Sequence, residues 1–130
     1  MSPEEDSCPV VVWPLKATYV MKIFTVTDKV HDSGEYILGS RVIGSHACYL
    51  IYGILKPGEQ GRELKPGRGH EEIVLALTGD MTLTGHYTGV LKKGQALHMQ
   101  AEETFHAANA GASPVIYVIA GGHSGVGHHS

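Results

Sequence analysis

The sequence predicts an all-β fold, a sandwich or a barrel built from short strands. Its 17 glycines and 6 prolines separate runs that are rich in Val, Ile, Thr and Tyr, which is the pattern of many strands joined by turns. No window shows the 3.6-residue apolar period of a capped amphipathic helix. At 130 residues, the chain is expected to be one domain with a core at roughly residues 10–120. Residues 1–9 and 121–130 are predicted to be flexible.

Nine strands are predicted in chain order. They are residues 10–13, 19–27, 36–43, 47–55, 71–78, 81–87, 95–100, 105–109 and 115–120. Residues 15–33 lack both Gly and Pro, so a helix is the alternative there, but alternation in β-rich company favours a strand. Residues 57–69 are predicted to be a long loop rich in Gly and Pro, and such loops in a β domain are more often functional than incidental.

The composition excludes several classes of function. The formal net charge is −3 and the Lys and Arg residues are scattered, so no nucleic-acid partner is expected. The longest uncharged stretch, residues 42–55, is too short to span a membrane, and the acidic N-terminus does not resemble a signal peptide. Cys8 and Cys48 are predicted to be reduced thiols of a cytoplasmic protein, with a single disulfide as the alternative.

Two side chains of metal-ligand type stand two residues apart. A turn-rich segment delivers His70 and Glu72 onto one face of the predicted strand at residues 71–78, because alternate side chains of a strand point the same way. That face continues with Val74 and Ala76. It is smaller and more mixed than the opposite face, which suits an interior that contains a polar site.

Two further histidines lie downstream, in the predicted strands at residues 95–100 and 105–109. An imidazole and a carboxylate on one strand, opposite an imidazole from another, form a divalent metal site in small β-barrels. His70, Glu72 and His106 are therefore predicted ligands, and His98 is a candidate fourth ligand or proton shuttle. The alternatives are a solvated loop–strand junction for His70 and Glu72, a surface turn for His106 and a core or edge position for His98.

Over roughly residues 45–120 the chain resembles a cupin. Glu72 and Gly79 match the second half of the first cupin motif in residue type and spacing, and residues 56–58 resemble the proline-glycine turn that opens it. The His-x-His pair of that motif is missing, and His70 is proposed as its shifted substitute.

The second cupin motif is matched only in part. Gly94, His106 and Asn109 resemble its glycine, histidine and asparagine, but Gln100 and Glu102 stand where the motif has Pro and Gly. His106 also arrives one residue late.

The resemblance implies a double-stranded β-helix, or jelly roll, that forms a homodimer. It also implies a divalent metal, iron, manganese, nickel or zinc, held by His70, Glu72 and His106, with His98 as a fourth candidate. The expected function is metal-dependent binding of, or action on, a small molecule, through dioxygenase-, isomerase- or lyase-like chemistry. The alternative is a non-catalytic ligand-binding or sensing domain with a decayed metal site, which the missing His-x-His pair favours. Whether the protein is an enzyme stays open, and no catalytic residue is assigned.

A ligand pocket would be lined by a subset of the aromatic and methionine side chains. The candidates are Tyr49, Tyr52, Tyr87, Met99, Phe105 and Tyr117. His31, His46 and His86 are expected to be structural or solvated.

Overall fold

Two antiparallel sheets make up the protein in a computed structural model, which describes residues 21–31 and 33–124. The five-stranded sheet has the order β1-β2-β9-β4-β7. Its strands are β1 (Glu35–Leu38), β2 (Cys48–Leu55), β4 (His70–Ala76), β7 (Ala96–Gln100) and β9 (Val115–His123). The four-stranded sheet has the order β3-β8-β5-β6. Its strands are β3 (Arg62–Leu64), β5 (Met81–Gly85), β6 (Gly89–Leu91) and β8 (Phe105–Ala108).

The core lies between the sheets and takes alternate side chains from strands of both. Its largest fully buried members are Tyr117, Phe105, Leu55, Met81, Leu83, Met99, Ile119 and Val74. On β4, Glu72 and Val74 are buried while Ile73 is 50% exposed. The predicted inward face of this strand is thus the observed one, because its alternation can bury only one set of side chains.

Between residues 19 and 43 the prediction of two continuous strands is wrong for the residues that the structure describes. Residues 21–25 have no regular structure, and Val26–Lys29 form a short 3₁₀ helix. The second predicted strand divides into β1 and a one-turn helix, α1 (Ser40–Ile43). Gly44 ends α1 at a φ of 77°, and its N–H donates to the Ser40 carbonyl. A left-handed residue of this kind is readily supplied by glycine.

Two very short strands were missed. β3 lies inside the predicted loop at residues 57–69, and β6 follows β5, which ends at Gly85 rather than at residue 87. Three residues are too few to show a period, so these strands are defined by their pairing with β8 and β5. β9 also continues to His123, three residues beyond the predicted end of the last strand at residue 120.

Several predicted features fall partly or wholly outside the described residues. The strand at residues 10–13 and Cys8 lie outside them, whereas Cys48 is an exposed free thiol. No helix in the part of the chain that the structure describes is long and apolar enough to cross a membrane.

Asn109, which the sequence assigned to the second cupin motif, is buried and holds a turn in place. Its Nδ2 donates to the carbonyls of Leu55 and Ser113, at 3.0 and 2.7 Å, and its Oδ1 accepts from the Gly111 N–H. These bonds fix the turn before β9 to the end of β2. The contacts of this asparagine are therefore structural.

Candidate functional site

A cavity of about 350 Å³ lies where β2 and β4 begin and β9 ends. Its lining is mixed, with several titratable groups beside two aliphatic side chains. These residues include His46, Tyr49, His70, Glu72 and His123, with Ile37 and Ile51 as apolar walls. An apolar cavity with a few convergent polar groups is the usual form of a small-molecule site.

Glu72 is the buried charged group of this cavity. It is 5% exposed and belongs to the inward face of β4. The Tyr49 hydroxyl donates a hydrogen bond of 2.6 Å to Glu72 Oε2. A buried carboxylate that accepts a hydrogen bond only from a neutral donor is poorly compensated, because removing its charge from water costs several kcal/mol.

A glycine on the strand between them allows Tyr49 to reach Glu72. Tyr49 on β2 pairs with Gly121 on β9, which in turn pairs with Glu72 on β4. A Cβ atom at Gly121 would lie 2.4 Å from Tyr49 Cε1. The ring therefore occupies the space that a side chain would fill, and its hydroxyl extends to the third strand.

The same arrangement occurs a second time in this sheet. Tyr117 on β9 pairs with Gly53 on β2, which pairs with Glu35 on β1. A Cβ atom at Gly53 would lie 2.1 Å from Tyr117 Cζ, and the Tyr117 hydroxyl donates a short hydrogen bond to Glu35. We refer to these two sets as the Tyr49–Gly121–Glu72 row and the Tyr117–Gly53–Glu35 row.

Arg62 distinguishes the second row from the first. From β3 in the opposite sheet, its Nη1 donates to the Tyr117 hydroxyl at 2.8 Å, and its Nη2 donates to Glu59 Oε2 at 2.6 Å. Its side chain is 13% exposed. The Tyr117–Gly53–Glu35 row is thus compensated by a guanidinium group, which makes it a structural link between the sheets.

Burial has the largest effect on the protonation equilibria of the first row. Burial raises the pKa of Glu72, and the nearby Glu35 carboxylate adds to the rise, against the hydrogen bond from Tyr49 and the charge of His70. Burial, followed by the hydrogen bond to Glu72 and the charge of that carboxylate, raises the pKa of Tyr49. Tyr49 consequently stays protonated and acts as the donor.

His70 stands beside this row within an aromatic cluster. Its ring centroid lies 5.9 Å from that of Tyr49 and 5.0 Å from that of His123. His70 Nδ1 is 3.1 Å from the Arg68 carbonyl oxygen. Because a carbonyl only accepts, this contact requires a proton on Nδ1, and Nε2 of the neutral ring is then the free acceptor.

Two of the four predicted metal ligands meet at the cavity and two do not. His70 and Glu72 line it together. His106 is exposed on the outer face of β8, since its neighbours Phe105 and Ala107 are buried. His98 lies on the outer face of β7, with Nε2 2.9 Å from Glu71 Oε1.

The four residues therefore do not converge on one point. Within residues 21–31 and 33–124, no group of three or more His, Cys, Asp or Glu side chains is placed to hold a metal ion. The donor set present does not fit a preformed metal centre of the kind that the resemblance implies.

Of the predicted pocket residues, Tyr49 lines the cavity, while Met99, Phe105 and Tyr117 are fully buried in the core. Tyr87 is exposed, and Tyr52 is partly buried on the opposite face of β2 from Ile51. His123 and the Arg62 network were not predicted. The one local signal for the rows was a glycine inside an otherwise β-branched or aromatic strand, which often marks a close approach of another group.

Replacing Glu72 by Gln should raise the free energy of unfolding by about 1 kcal/mol at neutral pH, because functional groups in uncompensated positions reduce stability. The pKa of Glu72 is raised in the folded state above its ordinary value of 4.5. Its contribution to stability is therefore complete below that value and is lost as the pH rises through the folded-state pKa. Gln resembles the protonated form at every pH, so the gain should be absent in acid and largest at neutral pH.

Urea denaturation at several pH values measures this difference. Glu71→Gln is the matched control, since Glu71 is the adjacent carboxylate on the outer face and the hydrogen bond from His98 lowers its pKa. That variant should not be stabilised. A Glu72→Gln protein that is less stable than the parent at neutral pH would show that the ionised carboxylate is well compensated.

Comparison with solved structures identifies the fold. A double-stranded β-helix protein of Klebsiella pneumoniae is similar at a TM-score of 0.60 and 16% identity, covering 79% of this chain and 90% of its own. The Cnp3 cupin domain of Schizosaccharomyces pombe is similar at a TM-score of 0.55 and 14% identity, covering 63% of this chain and 60% of its own. The chain has the cupin fold.

A third similar structure carries a functional name. A predicted oxalate decarboxylase of Thermotoga maritima aligns at a TM-score of 0.57 and 17% identity, covering 69% of this chain and 81% of its own. No protein-family model matches the chain, and neither does any curated protein. The jelly roll expected from the cupin resemblance is thus confirmed as a fold, because similarity at such low identities concerns architecture and not activity.

Proposed function

We propose that this cupin-fold protein binds a small organic molecule in the cavity formed by β2, β4 and β9. The observation that carries the proposal is the position of Glu72, a buried carboxylate at the cavity with Tyr49 as its hydrogen-bond donor. A fold gains nothing in stability from an uncompensated buried carboxylate, so such groups are found mainly at functional sites.

The Tyr117–Gly53–Glu35 row supports this assignment by contrast. It has the same construction, yet its carboxylate lies 4.0 Å from the guanidinium group of Arg62 and its tyrosine accepts from that group. Two rows of one design thus differ in the cation that accompanies them. Of the two carboxylates, Glu72 is the one with which a ligand in the cavity could interact.

Screening a library of small metabolites by ¹H–¹⁵N NMR tests the proposal. We expect at least one compound to shift the amide resonances of residues around Tyr49, Glu72 and Gly121. Cys48→Trp should abolish binding, because Cys48 is exposed and lines the cavity, so that an indole would fill it. Thr84→Trp, exposed on the other sheet, is the control and should bind normally. Binding that survives Cys48→Trp would place the ligand elsewhere.

A divalent metal in the same cavity is the second candidate, and one observation favours it. His70 and Glu72 do line the cavity together, and His123 lies against His70 across the β4–β9 pair. Among the described residues these side chains do not form a group placed to hold a metal, so metal binding would require His70 and Glu72 to move. Metal analysis of protein purified without chelator or affinity metal separates the candidates. Stoichiometric metal that His70→Ala removes and His86→Ala retains would favour the metal site.

A further inference from the structure

The charge at the cavity identifies the chemical class of its ligand, on the assumption that the proposed function is correct. Among residues 21–31 and 33–124, the one side chain that donates a hydrogen bond to Glu72 is Tyr49, through its neutral hydroxyl. Among the described residues, no Lys, Arg or His forms an ion pair with it. Since one carboxylate accepts about four hydrogen bonds, the described part of the chain leaves most of its acceptor capacity unused.

The other charged groups near Glu72 do not make the cavity a favourable site for an anionic ligand. Glu35 on β1 is close enough for its charge to act on Glu72. Lys65, the lysine of the cavity lining, has its Nζ 3.1 Å from Glu102 Oε1. His70 acts on Glu72 from a distance without forming an ion pair with it. An anionic ligand would therefore meet the Glu72 carboxylate and a lysine that already has a partner, beside the histidines of the lining.

The walls of the cavity suit a ligand that has both a cationic group and an apolar part. The rings of Tyr49, His70 and His123 are clustered beside Glu72, and Ile37 and Ile51 add an aliphatic surface. A tyrosine face attracts an ammonium group through its quadrupole. The volume of about 350 Å³ falls at the small end of the range for ligand pockets.

We propose that the ligand is a small amine whose ammonium group pairs with Glu72 while its apolar part lies against Ile37 and Ile51. Such a ligand supplies the cation that Arg62 supplies to the Tyr117–Gly53–Glu35 row. The ammonium N–H groups would donate to the unused lone pairs of Glu72, with Tyr49 holding the carboxylate in position. Carboxylates such as oxalate, which the name of the Thermotoga maritima structure implies for that protein, would be repelled here by Glu72.

Three probes of equal size and different charge test this inference: benzylamine, benzyl alcohol and benzoate. In NMR titrations at neutral pH, benzylamine should bind about tenfold more tightly than benzyl alcohol, and benzoate more weakly than both. Glu72→Gln should reduce benzylamine affinity about tenfold and leave benzyl alcohol unchanged. Glu71→Gln, which removes the neighbouring carboxylate on the outer face, should leave the affinities of all three probes as they are.

Each other outcome overturns the inference in a distinguishable way. If benzoate bound at the cavity as tightly as benzylamine, the proposal of an amine ligand would be wrong, whereas the proposal of a small-molecule site would stand. Equal loss of benzylamine binding in Glu71→Gln and Glu72→Gln would show that binding depends on net charge and not on the cavity. If none of the three probes shifted the amide resonances of the cavity residues, the proposal of an amine ligand would also be wrong. If Cys48→Trp were then also without effect on every metabolite tested, the proposed function would fail with it.

Discussion

Replacing Arg62 by Ala should lower the free energy of unfolding by about 2 to 3 kcal/mol, because it removes the shared cation of a partly buried ionic network. The guanidinium group donates to Glu59, to the Tyr117 hydroxyl and to the Ile54 carbonyl, at 2.6, 2.8 and 3.2 Å. Its loss would leave Glu35 and Glu59 without their shared cation. A change of this size is a large part of the total stability of an ordinary domain, about 5 to 15 kcal/mol.

Guanidinium chloride denaturation of Arg62→Ala measures the effect. Arg41→Ala is the control, since Arg41 is exposed on α1 and its loss should change stability by less than about 0.5 kcal/mol. Arg62→Lys should recover only part of the loss, because an ammonium group lacks the planar fork that donates to several acceptors at once. A loss below 1 kcal/mol in Arg62→Ala would show that the two sheets are held together by apolar packing alone.

The sequence allowed the fold class and the central strands to be predicted, because those depend on patterns inside one strand. β2, β4, β7, β8 and β9 all begin within a residue of their predicted positions. The inward face of β4 followed from alternation in the same way. Features that depend on a neighbour escaped prediction, such as β3 and β6, which are too short to carry a period of their own.

Two of the predicted ligands, His98 and His106, lie away from the cavity. His106 was placed by the spacing of a motif, whereas its orientation follows from Phe105 and Ala107, whose burial turns it outward. That alternation is visible in the sequence and would have corrected the assignment. The Tyr49–Gly121–Glu72 row could not be predicted from alternation within one strand. It depends on the register of three strands that are distant in the chain. The homodimer and the cytoplasmic location stay predictions.

Replacing the glycine by Ala should have different effects on stability and binding in the two rows. At Gly53 the new Cβ would lie 2.1 Å from Cζ of Tyr117, a fully buried ring whose hydroxyl is bonded to both Glu35 and Arg62. The ring cannot move without breaking those bonds and displacing the core. We therefore expect Gly53→Ala to lower the free energy of unfolding by about 3 kcal/mol, at the upper end of the usual cost of overpacking.

At Gly121 the clash is with Tyr49, at 2.4 Å, but this ring is only partly buried and borders the cavity. It can move into that space, so Gly121→Ala should cost only about 1 kcal/mol in stability. Its main effect should be on binding, because displaced Tyr49 would occupy the cavity and release Glu72. Denaturation and NMR titration with benzylamine measure the two effects separately.

Gly111→Ala is the control for both variants, because its Cβ would meet only Asn109 Oδ1, at 3.4 Å, and its φ is not positive. It should be close to the parent in stability and in binding. If Gly53→Ala and Gly121→Ala lost stability equally while Gly121→Ala kept full affinity for benzylamine, the two rows would be equivalent structural elements. The difference between them follows from Arg62, since one carboxylate has its cation within the fold and the other meets its cation only when a ligand binds.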